Sequence, residues 1–199
     1  MKLWLFSDWH NDRKASERLA KRADEFDVIV GAGDFCNAHQ GLEHCLAPLE
    51  FINTPLVFVA GNNETTEELR TVCEDWSHAS VLHGSSVTIA GQTFFGLGGG
   101  VPVTPFGSWS YDFTEDQARE YLTSCPGETI LVSHSPPFGV LDVSSRGKHL
   151  GSQAVRECIE RTQPRLVVCG HIHASGGKTE FLGDIPVVNA GPVGIEWAL

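Results

Sequence analysis

Positive charge is scarce in this chain. Fourteen Lys and Arg stand against 25 Asp and Glu in 199 residues, a formal charge of −11. Such a surface repels phosphate backbones and anionic lipid at long range, which argues against a nucleic-acid or membrane partner. Long apolar runs are missing as well. The stretch Met1–Phe6 is too short for a signal peptide's apolar region before Ser7-Asp8-Trp9-His10, and no later run reaches membrane-span length. The six cysteines form no C-x-x-C pair and no close-spaced framework. With 41% apolar and 20% charged residues, the chain can bury a core without disulfide staples. The expectation is six reduced thiols in a cytoplasmic protein, with Cys169 a small core residue. No repeat, low-complexity tract or break in composition divides the chain, so residues 1–199 are expected to form one domain.

What is present is a set of short apolar runs: Leu3–Phe6, Val28–Val30, Leu56–Ala60, Ile130–Val132 and Leu166–Cys169. Each is apolar on consecutive residues, as strands covered on both faces require. Amphipathic stretches alternate with them and predict helices over Asp12–Phe26, Gly41–Phe51, Thr65–Trp76, Thr114–Ser124 and Ser152–Arg161. Thr65 or Thr66, and Thr114, stand before acids as N-terminal caps, and Pro164 stops the last helix. Ser85–Ile89 and Thr93–Leu97 predict a hairpin turning at Gly91-Gln92. Lys178–Leu182 and Pro186–Asn189 predict a second, around Gly183-Asp184. The pattern is α/β, with a mixed sheet or two packed sheets between helices. Two long loops, Gly98–Asp112 and Ser135–Gly151, have the length of functional segments.

The chemistry lies just after the strands. The five runs lead in turn to Asp8-Trp9-His10, Gly33-Asp34, Gly61-Asn62-Asn63-Glu64, Ser133-His134 and Gly170-His171-Ile172-His173. In α/β sheets the carboxyl ends of strands open into a shared crevice, so Asp8, His10, Asp34, Asn62, His134, His171 and His173 can converge. Two carboxylates, one amide and four imidazoles suit Mn, Fe, Zn or similar ions better than Ca. Seven ligands are too many for one tetrahedral ion. They suit a pair sharing one carboxylate, where two ions ~3.5–4 Å apart hold a hydroxide and clamp a phosphoryl oxygen.

In this order, Asp8-x-His10, Gly33-Asp34, Gly61-Asn62, His134 and Gly170-His171-x-His173 resemble the motifs of the calcineurin-like metallophosphoesterase family. Gly96-Leu97-Gly98-Gly99, Thr104-Pro105-Phe106, Ser135-Pro136-Pro137-Phe138-Gly139, His149-Leu150-Gly151-Ser152 and Asn189-Ala190-Gly191-Pro192 look like its small single-domain prokaryotic branch. The resemblance implies a four-layer α/β/β/α sandwich with a two-metal centre at one edge. It assigns Asp8, His10, Asp34 and His173 to one divalent ion and Asp34, Asn62, His134 and His171 to the other, with Mn favoured and Fe, Zn or Ni as alternatives. The implied reaction is attack on a small phosphoester by the hydroxide bridging the ions, without a covalent intermediate.

One position departs from the family pattern. Many members carry a His where this chain has Asn63, and that His is thought to protonate the leaving group or stabilise phosphoryl charge. An amide donates a hydrogen bond but delivers no proton at neutral pH. Asn63 therefore favours a diester, or a leaving group needing little protonation. Arg146, Lys148 and His149 are candidate phosphate contacts in the second long loop. Trp109 and Tyr111, in the first, either cover apolar surface or stack on a base. The basic face of the first helix reads as solvated, and His39, His44, His78 and His83 as structural or surface residues. Two alternatives accompany the diesterase reading. One is a non-catalytic partner-binding module on the same fold, which a metal titration distinguishes. The other is a nuclease of the family, which a steep salt dependence of binding would reveal.

Overall fold

The computed structural model describes residues 1–199. In chain order the elements are β1 (Lys2–Phe6), α1 (Arg13–Ala20), β2 (Val28–Gly31), α2 (Leu42–Leu46), β3 (Leu56–Phe58), α3 (Thr66–Val72), β4 (Ala79–Val81), β5 (Ser85–Ile89) and β6 (Gln92–Leu97). The second half adds α4 (Glu115–Leu122), β7 (Ile130–Ser133), α5 (Gln153–Thr162), β8 (Leu166–Cys169), β9 (Lys178–Leu182), β10 (Ile185–Asn189) and β11 (Ile195–Ala198). One sheet runs in the order β11-β1-β2-β3-β4, the other β5-β6-β7-β8-β10-β9. Both are parallel in the middle; the first has one antiparallel edge strand, β11, and the second has two, β5 and β9.

Consecutive apolar residues in these strands serve two faces. Leu3 and Leu5, with Val28, Val30 and Val57, meet Ile130, Val132, Leu166 and Val168 of the other sheet in one buried cluster. Phe6, Ile29, Leu56 and Phe58 point the opposite way, onto Leu19, Leu46 and Leu69 of α1, α2 and α3. On the far side Phe95, Leu131 and Val167 pack on Leu122 of α4 and on Val155 and Ile159 of α5. Three clusters between four layers make the α/β/β/α sandwich.

Local chemistry sets where elements begin and end. Thr65 and Thr114 each close a capping box, with Glu68 and Gln117 respectively, and Ser152 caps α5 through the Val155 N–H. Gln163 ends α5 in a left-handed conformation just before Pro164. The stretch expected as one helix over Gly41–Phe51 is instead α2 followed by a 3-10 turn, Ala47–Leu49, because Pro48 has no N–H to continue the ladder. The predicted helix Asp12–Phe26 likewise breaks after Ala20 and resumes as a 3-10 turn over Ala23–Glu25. The first hairpin turns at Ala90-Gly91, one residue earlier than expected. Both residues have positive φ, and Ile89 pairs with Gln92.

The register aligns the strand ends. Phe6 pairs with Gly31 and Gly31 with Phe58, so the loops after β1, β2 and β3 leave side by side. In the second sheet His134 N–H donates to Leu97 O and Gly170 N–H to His134 O, which brings the ends of β6, β7 and β8 level.

Candidate metal centre

At this common edge the seven residues meet. Ligand atoms of Asp8, His10, Asp34 and His173 all lie within 4.8 Å of one another, and so do those of Asp34, His134 and His171. Asp34 belongs to both groups. The amide of Asn62 joins the second: its Nδ2 donates to Ser110 Oγ at 3.1 Å, which leaves Oδ1 facing His134 Nε2 at 3.3 Å.

The backbone here is unusual. Asp8, His10, Asp34 and His171 have φ of +57°, +45°, +56° and +66°, in the left-handed region that side chains other than glycine rarely occupy. Backbone bonds hold these turns together, with Asp8 N–H on Gly33 O at 2.9 Å and His10 N–H on Asp34 O at 3.0 Å. Gly33 and Gly61 pack against each other. A Cβ on Gly61 would lie 2.1 Å from Asp34 Oδ1 and 2.2 Å from Asp34 N, so only glycine lets the two loops approach.

Surrounding partners fix the orientation of each donor. The Nδ1 of His134 lies 2.7 Å from Ala32 O, a group that only accepts, so Nδ1 carries a hydrogen and Nε2 is the ring atom left for a metal. The same logic applies to His10. Asn37 Nδ2 donates to His10 O at 3.1 Å, which turns Asn37 Oδ1 toward His10 Nδ1 at 2.9 Å. Asp8 accepts from the Ser7 hydroxyl and from His171 N–H. Asp34 accepts the Asn63 N–H at 2.9 Å and the Asn63 side-chain amide at 2.8 Å.

Electrostatics follow from burial. Desolvation raises the Asp8 carboxyl above its usual range. At Asp34 burial acts in the same sense, but His134, His171 and His10 around it prevail and hold it low. Burial would lower His134, yet Asp34 and Asp8 outweigh it and raise that ring. Burial, reinforced by His134, pushes His171 down to about 3, so it is a neutral imidazole at any physiological pH.

The spacing fits divalent ions. Donors about 2.1 Å from one ion stand roughly 3.0–3.4 Å apart. Observed separations are 3.1 Å for His10 Nε2 to His173 Nε2, 3.6 Å for His10 Nε2 to Asp34 Oδ2, and 3.7 Å for His173 Nε2 to Asp8 Oδ1. In the second group His134 Nε2 stands 3.5 Å from Asp34 Oδ1. A mixed nitrogen and oxygen set at these distances suits transition-metal ions.

One residue of the site, the acid that ends the motif Gly61-Asn62-Asn63-Glu64, is given no role by the sequence. Glu64 is fully buried, and its carboxylate accepts N–H bonds from Gly61 (2.7 Å), Asp34 (2.8 Å), Phe35 (3.1 Å) and Cys36 (3.3 Å). Burial and the nearby Asp34 push this carboxyl up to about 7, against the pull of those N–H groups. It laces the Asp34 turn to the Asn62 turn. Its only sequence signal is an acid directly after the Asn62-Asn63 pair.

A cavity of about 550 Å³ opens over the centre, lined on one side by His10, Asp34, Asn62, Asn63, His171 and His173. Arg146, Lys148 and His149 do not line it. They are exposed on a turn closed by Ser144 N–H to Lys148 O, and His149 pairs outside the cavity with buried Asp142 at 2.7 Å. From that loop Ser144, Ser145 and Leu150 reach the cavity instead. Tyr111 packs between two core clusters and bonds Thr66 through its hydroxyl, whereas Trp109 lines the cavity. His39 bridges Glu68 and the Trp109 carbonyl, and the bond to Glu68 raises its pKa.

Comparison with known proteins places this arrangement. The model of the Calcineurin-like phosphoesterase superfamily domain matches residues 1–198. The human Metallophosphoesterase domain-containing protein 1 is 28% identical over 194 residues, covering 91% of this chain and 56% of that protein. The cAMP/cGMP dual specificity phosphodiesterase of Mycobacterium tuberculosis is 29% identical over 178 residues, covering 86% of this chain and 55% of that protein. The chain thus spans little more than half the length of these relatives. Among solved structures, the protein TT1561 of Thermus thermophilus superposes with a TM-score of 0.74 at 20% identity, covering 96% of this chain and 88% of that one.

Proposed function

Because this chain belongs to the calcineurin-like phosphoesterase superfamily, we propose that it is a phosphodiesterase acting on a small substrate with two divalent metal ions, Mn²⁺ favoured. The observation that carries this reading is the double role of Asp34, which sits in both ligand groups. Asp8, His10, Asp34 and His173 would hold one ion, and Asp34, Asn62, His134 and His171 the other. Bound there, such ions supply Lewis acidity to a phosphoryl group and make water acidic enough to attack it near neutral pH.

The residues of the chain do the rest. Ala32 and Asn37 fix the tautomers of His134 and His10, and Glu64 holds the two central turns in register. Asn63 holds both oxygens of Asp34 through its N–H and side-chain amide. Its own amide oxygen accepts from Ala38 N–H, so the side chain is committed to positioning and delivers no proton. No residue lining the cavity outside the ligand set is an acid that titrates near neutrality, and none is Lys or Arg. A diester carries one negative charge and a monoester close to two, so a cavity without further cations favours the diester. The six free, buried cysteines suit a reducing compartment and support a cytoplasmic location. No helix is long and apolar enough to cross a membrane.

The test is hydrolysis of bis(p-nitrophenyl) phosphate beside p-nitrophenyl phosphate, after chelator treatment and again after Mn²⁺ is restored. The expected result is Mn²⁺-dependent turnover that favours the diester. Preference for the monoester would keep the metals and overturn the argument from Asn63 and the missing cations. Turnover of neither compound would favour a partner-binding module.

A further inference from the structure

The cavity over the metal-ligand cluster has a second wall. Among its lining residues Phe106 and Trp109 lie with ring centroids 5.9 Å apart and planes within 16° of parallel, and Leu150 and Ile172 add further apolar surface. Both aromatic rings are open to solvent, Phe106 by 51% and Trp109 by 39%. Neither packs into any of the three core clusters, so covering the core does not explain them. A stacked, exposed aromatic pair beside a polar cluster is a binding wall.

The loop that carries these rings is anchored to His39 and to Asn62, one of the proposed metal ligands. The Trp109 carbonyl accepts from His39 Nε2 at 2.5 Å, Ser110 Oγ accepts from Asn62 Nδ2, and Tyr111 N–H donates to Asn62 O at 3.0 Å. Thr104 N–H and Ser110 Oγ both donate to Asp112, which closes the loop on itself. The backbone around Trp109 is therefore tied to the ligand cluster before anything binds, which lowers the cost of ordering the loop on a ligand. With no Lys or Arg lining the cavity, these two rings are its largest contact surface for the part of a substrate beyond the phosphate.

We propose that Phe106 and Trp109 form an aromatic subsite that takes a planar heteroaromatic ring, such as a nucleobase, carried on one arm of the phosphoester. The proposal rests on the phosphoesterase reading of the adjacent ligand cluster and adds the substrate class to it. The polar side holds the phosphate, and the aromatic side selects among esters by stacking.

Calorimetric titration of the Mn²⁺-loaded protein with adenosine 5′-monophosphate and ribose 5-phosphate isolates the ring, because the two share sugar and phosphate. Stacking on aromatic side chains predicts that the adenosine compound binds about five- to hundredfold tighter. The Phe106→Ala/Trp109→Ala double variant should bring it down to the level of ribose 5-phosphate, whose own affinity stays unchanged. Trp109→Phe, which keeps a ring and the backbone anchor, should retain part of the preference. Equal affinities in the wild type, or a double variant that weakens both compounds alike, overturn the subsite and leave the phosphoesterase reading standing. Failure of both compounds to bind the loaded protein also overturns the subsite, since the adenine ring has then added no affinity, and leaves the phosphoesterase reading to the hydrolysis assay.

Discussion

Replacing Glu64 with Gln tests whether the centre is held from behind by one buried carboxylate. The change is isosteric and leaves every proposed ligand in place. A carboxylate accepts with both oxygens. In Gln the single oxygen can keep the Gly61 and Asp34 N–H bonds, at 2.7 and 2.8 Å, but the amide nitrogen then faces the N–H groups of Phe35 and Cys36. Two buried donors lose their acceptor, at about 1–3 kcal/mol each, so the loss is about 2–6 kcal/mol. That is a large part of the roughly 5–15 kcal/mol by which a domain of this kind is typically stable. Urea denaturation of the chelator-treated protein reads it without any contribution from metal. Glu67→Gln is the control, since Glu67 is exposed and bonds only Arg70 through its side chain, and it should stay within about 0.5 kcal/mol of wild type. A Glu64→Gln protein as stable as that control would refute the idea that this carboxylate supports the site.

Gly61→Ala should be worse tolerated than its size suggests, because the new Cβ falls 2.2 Å from Asp34 N. Circular-dichroism melting of the metal-free protein should show a clear drop, and calorimetry should show lost Mn²⁺ binding. Asp34→Asn removes the charge shared by both ligand groups. Mn²⁺ titration should no longer show two tight sites, and turnover should fall to background; wild-type stoichiometry would reject the shared role. Burial lowers His83 from its ordinary 6.5 to about 4; the ring packs on Tyr121 and accepts the Gly98 N–H at Nδ1. Between those pH values the unfolded chain takes up a proton that the folded ring refuses. Stability should therefore be full above about pH 6.5, fall toward pH 4 by under ~1.4 kcal/mol per pH unit, and flatten below. His83→Asn should shallow that slope in urea titrations run across the range.

Much of the architecture is legible because parallel central strands announce themselves. The runs at Leu3–Phe6, Val28–Val30 and Leu166–Cys169 are apolar at every position, since one face meets the other sheet and the next meets helices. Edge strands give no such signal. Residues Ala79–Val81 are three half-buried positions, and Ile195–Ala198 alternates between half-buried and exposed; neither stands out as a strand in the sequence. The ligand cluster can be read because its residues follow strand ends directly, where the chain has few paths to take. Positions along the long loops cannot, since a few residues of turn decide which side chains face the cavity. Hence Ser144 and Ser145 line it while Arg146 and Lys148 turn outward, and Trp109 stands in the wall while Tyr111, two residues on, is drawn between core clusters.

Four of the seven converging residues, Asp8, His10, Asp34 and His171, hold left-handed backbone conformations. Each costs about 1–2 kcal/mol relative to a position where glycine would sit without strain. A chain optimised for durability alone would drift toward glycine or asparagine at these places and would lose two carboxylates and two imidazoles in doing so. Robustness and chemistry are thus set against each other at individual backbone angles. Improving the stability of this protein is safest in the helices and edge strands, far from the turns where the strain is concentrated.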